Sequence, residues 1–183
     1  LQLPQDLIPM KFNPGVVFGT SCHPTSQKCL ESITMIFQSE KPKTVLYFGF
    51  GTGILSIAAA KLGAKKVVAL DLNNLAVETA RENVLLKRME TTVEVIEVDA
   101  FNWVTYDADL VIENIDFRTI ERLIETPGFF NKEWYILSGM VGTEVDTIKE
   151  KLKNTPLFIH TTEQENFRFT LLAKNSQPSD FPS

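Results

Sequence analysis

A chain of 183 residues, 44% hydrophobic and 22% charged, is long enough for one domain with a substantial core and has the composition of an ordinary soluble protein. Its net charge of −5 argues against the broad phosphate-binding footprint of a nucleic-acid partner and permits a basic protein partner. No secretory signal or membrane span is visible, and the two cysteines, Cys22 and Cys29, form neither a disulfide framework nor a metal-ligand pattern, so a reduced, cytoplasmic protein without a metal is expected.

The first periodic stretch is Pro24 to Ser39, where Cys29, Leu30, Ile33, Ile36 and Phe37 make a helical stripe with Thr25 or Ser26 available as the cap. Strands and helices then alternate. Val45–Phe48 leads to a helix over Ile54–Leu62, and Val67–Leu70 to one over Asn74–Lys87 with Ala76, Ala80 and Val84 on one face. Val93–Val98 and Leu110–Glu113 are the third and fourth strands; a helix over Arg118–Glu125 precedes the fifth, Trp134–Met140. The runs VVAL, DLVI and WYIL lack polar alternation, as strands do when helices cover both faces of a parallel sheet. After a helix over Glu144–Lys153, the runs Leu157–Thr162 and Phe167–Ala173 are separated by Glu163–Asn166 alone and predict a hairpin. The expected fold is α/β: a Rossmann-like, doubly wound, seven-stranded and mostly parallel sheet ending in an antiparallel β-hairpin. Residues 1–23 form a leading segment, 24–174 the domain, and 175–183 a frayed, disordered tail.

Lys43 to Asp71 carries the chemistry. A buried strand enters a turn holding Gly49, Gly51 and Gly53, a helix follows, and the next strand ends on a carboxylate, eighteen residues past the last glycine. Glycines let the backbone approach a ligand, free amides at the helix N-terminus bind an anion, and an acid in the place of Asp71 can accept both hydroxyls of a ribose. The spacing is G-x-G-x-G, whereas the dinucleotide fingerprint is G-x-G-x-x-G. The shorter form favours S-adenosylmethionine over a nicotinamide or flavin dinucleotide.

The order of elements resembles that of the class I S-adenosylmethionine-dependent methyltransferases. FNPGVVFGTSCHPTSQKCLE is similar, over residues 12–31, to the pattern D-P-G-x-A-F-G-T-G-x-H-x-T-T of the bacterial enzymes that methylate ribosomal protein eleven of the large subunit. LAVETAREN, DLVIENI and the pair Ser138–Gly139 also match, so the resemblance covers about residues 11 to 174. It implies that Gly49, Gly51, Gly53 and Asp71 bind the cofactor and that Asp99 lies near the adenine amine. It also implies that Phe18, Gly19 and Thr20, with His23 and Thr25, close over the methionine end, and that Asn114 positions the acceptor. Glu113 closes an apolar strand at the ligand edge, where an acid could bind a substrate amine or take its proton.

Five positions depart from the family pattern. Tyr47 stands where an acid helps hold the cofactor's ammonium end, Phe50 adds bulk within the turn, Ser21 replaces a glycine, and Asn73–Asn74 replace Asp-Pro. The family also has a separate N-terminal domain that grips the substrate, and this sequence starts at the catalytic domain. If Leu1 is the natural start, the expected acceptor is another one. Two readings stand: a methyltransferase acting on a nitrogen of a protein or small molecule, and a methyltransferase fold kept as a cofactor-binding or partner-interaction module without catalysis. Segment 113–116, Glu-Asn-Ile-Asp, lacks the Pro-Pro-aromatic motif of nucleobase amino-methyltransferases.

Overall fold

The computed structural model describes residue 13 and residues 23–176. Phe18, Gly19, Thr20, Ser21 and Cys22 lie outside the described residues, as do positions 177–183 of the expected tail. Within them, helix α1 (Pro24–Ser39) and strand β1 (Thr44–Phe48) lead into α2 (Ile54–Leu62), β2 (Lys66–Asp71), α3 (Asn74–Leu86), β3 (Val93–Glu97) and β4 (Leu110–Asn114). Then come α4 (Phe117–Glu125), β5 (Trp134–Val141), α5 (Gly142–Leu152), β6 (Leu157–Glu165) and β7 (Arg168–Asn175). The sheet order is β3-β2-β1-β4-β5-β7-β6, parallel from β3 to β5 and antiparallel through the closing hairpin. No helix among the described residues is long and apolar enough to cross a membrane.

Two cores flank the sheet. On one face α1, α2 and α3 cover Val45, Tyr47, Val67, Ala69, Ile112 and Ile136; on the other α4 and α5 cover Leu46, Phe48, Val68, Val111, Tyr135 and Leu137. The strand-by-strand alternation between these sets is the period-two pattern of a pleated strand with both sides buried. It makes the strands read as unbroken apolar runs.

The boundaries agree with the sequence reading to within two residues at most ends, with three physical exceptions. Thr25 and Ser26 do not cap α1: both are buried inside its first turn, and the N-cap is His23, because Pro24 is preorganised for the first helical position. The hairpin turn is Asn166–Phe167, not Glu163–Asn166, since pairing continues to Glu165 opposite Arg168. Asn175 belongs to β7 rather than to the tail; its buried side-chain amide donates to the carbonyls of Phe130 and Lys132.

β5 carries a bulge between Ser138 and Met140, and Gly139 sits there with φ +104. A Cβ at this position would lie 2.8 Å from the carbonyl oxygen of Ile115. Only glycine fits both the left-handed backbone and the contact with main chain. Gly139→Ala should therefore lose about 2 kcal/mol of stability or more in urea denaturation. An unchanged midpoint would mean that the loop after β4 yields freely.

Candidate active site

Strand order reverses between β1 and β4, so their connections depart to opposite faces and leave a crevice at the carboxyl edge. A cavity of about 400 Å³ opens there. Its walls come from Tyr47, Gly49 and Gly51 at the end of β1, and from Leu70 to Asn73 closing β2. Val98 to Phe101 beyond β3, and Asn114, Ile115 and Thr119 beyond β4, complete them.

The glycine turn is a packing device as much as a ligand surface. Gly49 has φ +67, and a Cβ there would fall 2.4 Å from the Ile115 side chain, which lies across it. The Gly49 amide donates to the Leu70 carbonyl, the Gly53 amide to the Phe50 carbonyl, and the Gly51 amide to the Asp71 carboxylate at 3.3 Å. The three glycine amides are thus engaged inside the protein. Gly53 starts α2 against Ala80 of α3 and does not line the cavity. Phe50, read as bulk inside the turn, points the other way and is buried in the core beside α1 and α2.

Asp71 and Asp99 stand on one side of the cavity. Asp71 Oδ1 accepts from the Asn73 amide at 2.9 Å, and Asp99 Oδ1 from the Phe101 amide at 3.0 Å, so each carboxylate is held by the backbone two residues on. The Phe101 ring forms the adjacent apolar wall. Its face carries the Arg122 guanidinium, 3.6 Å from the ring centroid, which braces it from the α4 side.

Glu113 and Asn114 part company. Consecutive strand residues point to opposite faces. Asn114 shares its face with Tyr47 and lines the cavity; Glu113 does not line it and is wholly buried on the α4 and α5 face, beside Phe48 and Leu137. Glu113 Oε1 accepts from the Ile115 amide at 3.0 Å, while Oε2 has no partner among the described residues. Burial pushes its carboxyl well above the ordinary range, the Asp116 charge adds to this, and the amides of Ile115, Asp116 and Ser138 oppose it. Asn114 is also buried, and its Oδ1 is unpartnered among the described residues. Burial likewise holds the Tyr47 phenol well above its usual value, reinforced by Cys29, Glu113 and Asp71, so it is neutral and can donate a hydrogen bond into the cavity.

His23 and Thr25 do not line the cavity. His23 Nδ1 and Thr25 Oγ1 are 2.8 Å apart, and burial, then the Arg168 charge, lowers the imidazole pKa. The lining residues to which the sequence gave no site role include Leu72, Val98, Ala100, Phe101, Ile115 and Thr119. Each follows the carboxyl end of a strand, and that position was the available signal.

A parallel sheet of this order, with a glycine turn after its first strand, a carboxylate ending its second and a cavity across the switch point, defines a class I S-adenosylmethionine-dependent methyltransferase domain. The family model described as ribosomal protein L11 methyltransferase matches residues 2–175, and the chain belongs to that family. It is 38% identical over 154 residues to the ribosomal protein L11 methyltransferase of Alkaliphilus oremlandii, an alignment covering 82% of this chain and 49% of that protein. It is 38% identical over 173 residues to the one from Thermotoga neapolitana, covering 93% and 64%. The crystal structure of ribosomal protein L11 methylase from Lactobacillus delbrueckii subsp. bulgaricus superposes with a TM-score of 0.74 at 26% identity, covering 93% of this chain and 91% of that one. The chain spans about half the length of most of the curated relatives it matches.

Proposed function

We propose that this chain transfers the methyl group of S-adenosylmethionine to a nitrogen of a protein acceptor, with ribosomal protein L11, the protein in its relatives' name, as the first acceptor to test. The acceptor groups of the cavity carry this reading: the carboxylates of Asp71 and Asp99 on one side, and on the other the buried amide oxygen of Asn114, unpartnered among the described residues.

These residues suit the cofactor's chemistry. A carboxylate offers about four acceptor positions. Asp71 uses two on the amides of Gly51 and Asn73, leaving capacity for the two ribose hydroxyls. Asp99 accepts the adenine amine, with Val98 and Phe101 as apolar walls for the ring. Tyr47, Gly49 and Gly51 line the floor toward the methionine end, where the phenol supplies a hydrogen bond but no negative charge.

The bound cofactor supplies an already activated sulfonium methyl, so the chain's task is alignment in a site from which water is excluded. The acceptor nitrogen must be neutral to attack. Asn114 Oδ1 takes one N–H of that nitrogen and fixes the direction of its lone pair. Burial on the far face disfavours the charged form of Glu113, which weakens any negative charge that would hold an amine as ammonium. This assigns positioning to Asn114 and withdraws substrate contact from Glu113.

Asn114→Ala should lower kcat with the acceptor about 100-fold while the calorimetric Kd for S-adenosylhomocysteine stays within about threefold. Weakened cofactor binding with kcat preserved would overturn the assignment.

A further inference from the structure

Asn83 is a polar residue on the buried side of α3. Ala76, Ala80 and Val84 of the same helix belong to the apolar core, and Asn83 is wholly buried with them. Burying an amide costs stability unless its groups find partners. Here the partners are main-chain groups of two distant segments. Asn83 Oδ1 accepts from the Asn13 amide at 2.9 Å, and Nδ2 donates to the Asn13 carbonyl at 2.9 Å. The side chain thus pairs with residue 13 as a neighbouring strand would. The Asn13 side chain adds an exposed bond to Glu82 at 3.1 Å. Asn83 Nδ2 also donates to the Thr52 carbonyl, at 3.0 Å.

That last bond reaches the cofactor side of the molecule. Thr52 lies between Gly51 and Gly53, whose φ values are +55 and +78. Gly51 lines the cavity, and its amide donates to the carboxylate of Asp71. Gly53 meets the same helix: a Cβ on it would lie 3.1 Å from that of Ala80, one turn before Asn83. Hydrogen bonds therefore lead from Asn13 through Asn83 to the glycine turn, and from the turn to Asp71. Packing alone would be met by an apolar residue at position 83, as it is at 76, 80 and 84. The amide is needed for the two main-chain segments it joins.

We propose that Asn83 is a positioning residue for cofactor binding, coupling the seat of the chain at Asn13 to the glycine turn beside Asp71. With residue 13 in place the Asn83 amide has one orientation, because one end must accept and the other must donate. Nδ2 is then held toward Thr52, and the turn keeps the geometry in which Gly51 meets Asp71. With residue 13 displaced, the amide is free to rotate and the Thr52 carbonyl loses a fixed donor. The effect is reciprocal: the factor by which the seated segment raises cofactor affinity is the factor by which the cofactor favours seating. This role rests on the cofactor reading of the cavity given above.

Asn83→Ala should raise the calorimetric Kd for S-adenosylhomocysteine about tenfold. Val84→Ala, which empties core volume at the next position of α3 and removes none of these bonds, should leave that Kd within about twofold. Melting temperatures measure how far each variant weakens the fold, so an affinity loss confined to Asn83 separates positioning from general loosening. Equal rises in the two variants, or none in Asn83→Ala, would overturn the role. A second measurement needs no variant. In the unaltered chain, hydrogen exchange at the Asn13 amide, followed by NMR, should slow about tenfold when S-adenosylhomocysteine saturates the site. An unchanged exchange rate in a chain that binds the ligand would overturn the coupling and leave the cofactor reading intact. Failure of the folded, unaltered chain to bind S-adenosylhomocysteine would overturn both.

Discussion

Asp71→Ala should raise the calorimetric Kd for S-adenosylhomocysteine about 100-fold or more, equivalent to about 2.7 kcal/mol. Two losses combine. The ribose hydroxyls lose a charged acceptor, and hydrogen bonds to charged groups each contribute about 1.5–3 kcal/mol when their partner would otherwise be stranded. The Gly51 and Asn73 amides also lose the carboxylate that holds them at 3.3 and 2.9 Å, so the glycine turn and the start of α3 are no longer tied together. Asp71→Asn separates the two losses. Its side-chain oxygen can keep the bond to Asn73, but the charge and half the acceptor capacity are gone, so an intermediate affinity is expected. Binding by Asp71→Ala within threefold of the unaltered chain would mean that the cavity does not take its ligand through this residue. Because Asp71 is half-buried at the sheet edge and not in the core, the melting temperature should change little, which keeps the binding result interpretable.

Much of this architecture is legible in the sequence, because the parallel strands are apolar without interruption and the helices between them carry clear stripes. Side-chain direction is less legible. Glu113 and Asn114 both end an apolar strand at the ligand edge, and residue type alone makes both candidates. The period-two rule already implies that only one of them can face the cavity, but it cannot say which until the sheet is assembled. Phe50 is similar: the positive φ of Gly49 and Gly51 on either side turns it into the core, and spacing encodes no such direction. The hairpin boundary escapes because its second turn residue is Phe where glycine is the readable signal. The cavity walls at Leu72, Phe101 and Ile115 come from connections after strands, which have no period to read.

Glu113→Gln should stabilise the protein increasingly as pH rises. In the folded chain burial holds the Glu113 carboxyl well above its ordinary value of 4.5, so the folded state holds the proton to higher pH while the unfolded state releases it above that value. Protons are then bound more by the folded chain, and the stability present below pH 4.5 falls as pH rises toward the folded pKa. The slope is about 1.4 kcal/mol per pH unit within that window. Glutamine reproduces the protonated acid: its carbonyl oxygen can accept the Ile115 amide as Oε1 does, and its amide group takes the place of the protonated Oε2. It has no proton to lose. Urea denaturation of both proteins across pH 4.5 to 8 should therefore give stabilities that agree at the acid end and diverge in favour of glutamine toward neutrality. Parallel curves would mean that Glu113 ionises in the folded protein at its ordinary pKa. The same comparison bears on the chemistry: a neutral residue at 113 should preserve kcat, because the proposed mechanism takes neither a charge nor a proton from it. A large fall in kcat for Glu113→Gln with cofactor affinity intact would return this carboxyl to the proton-transfer path.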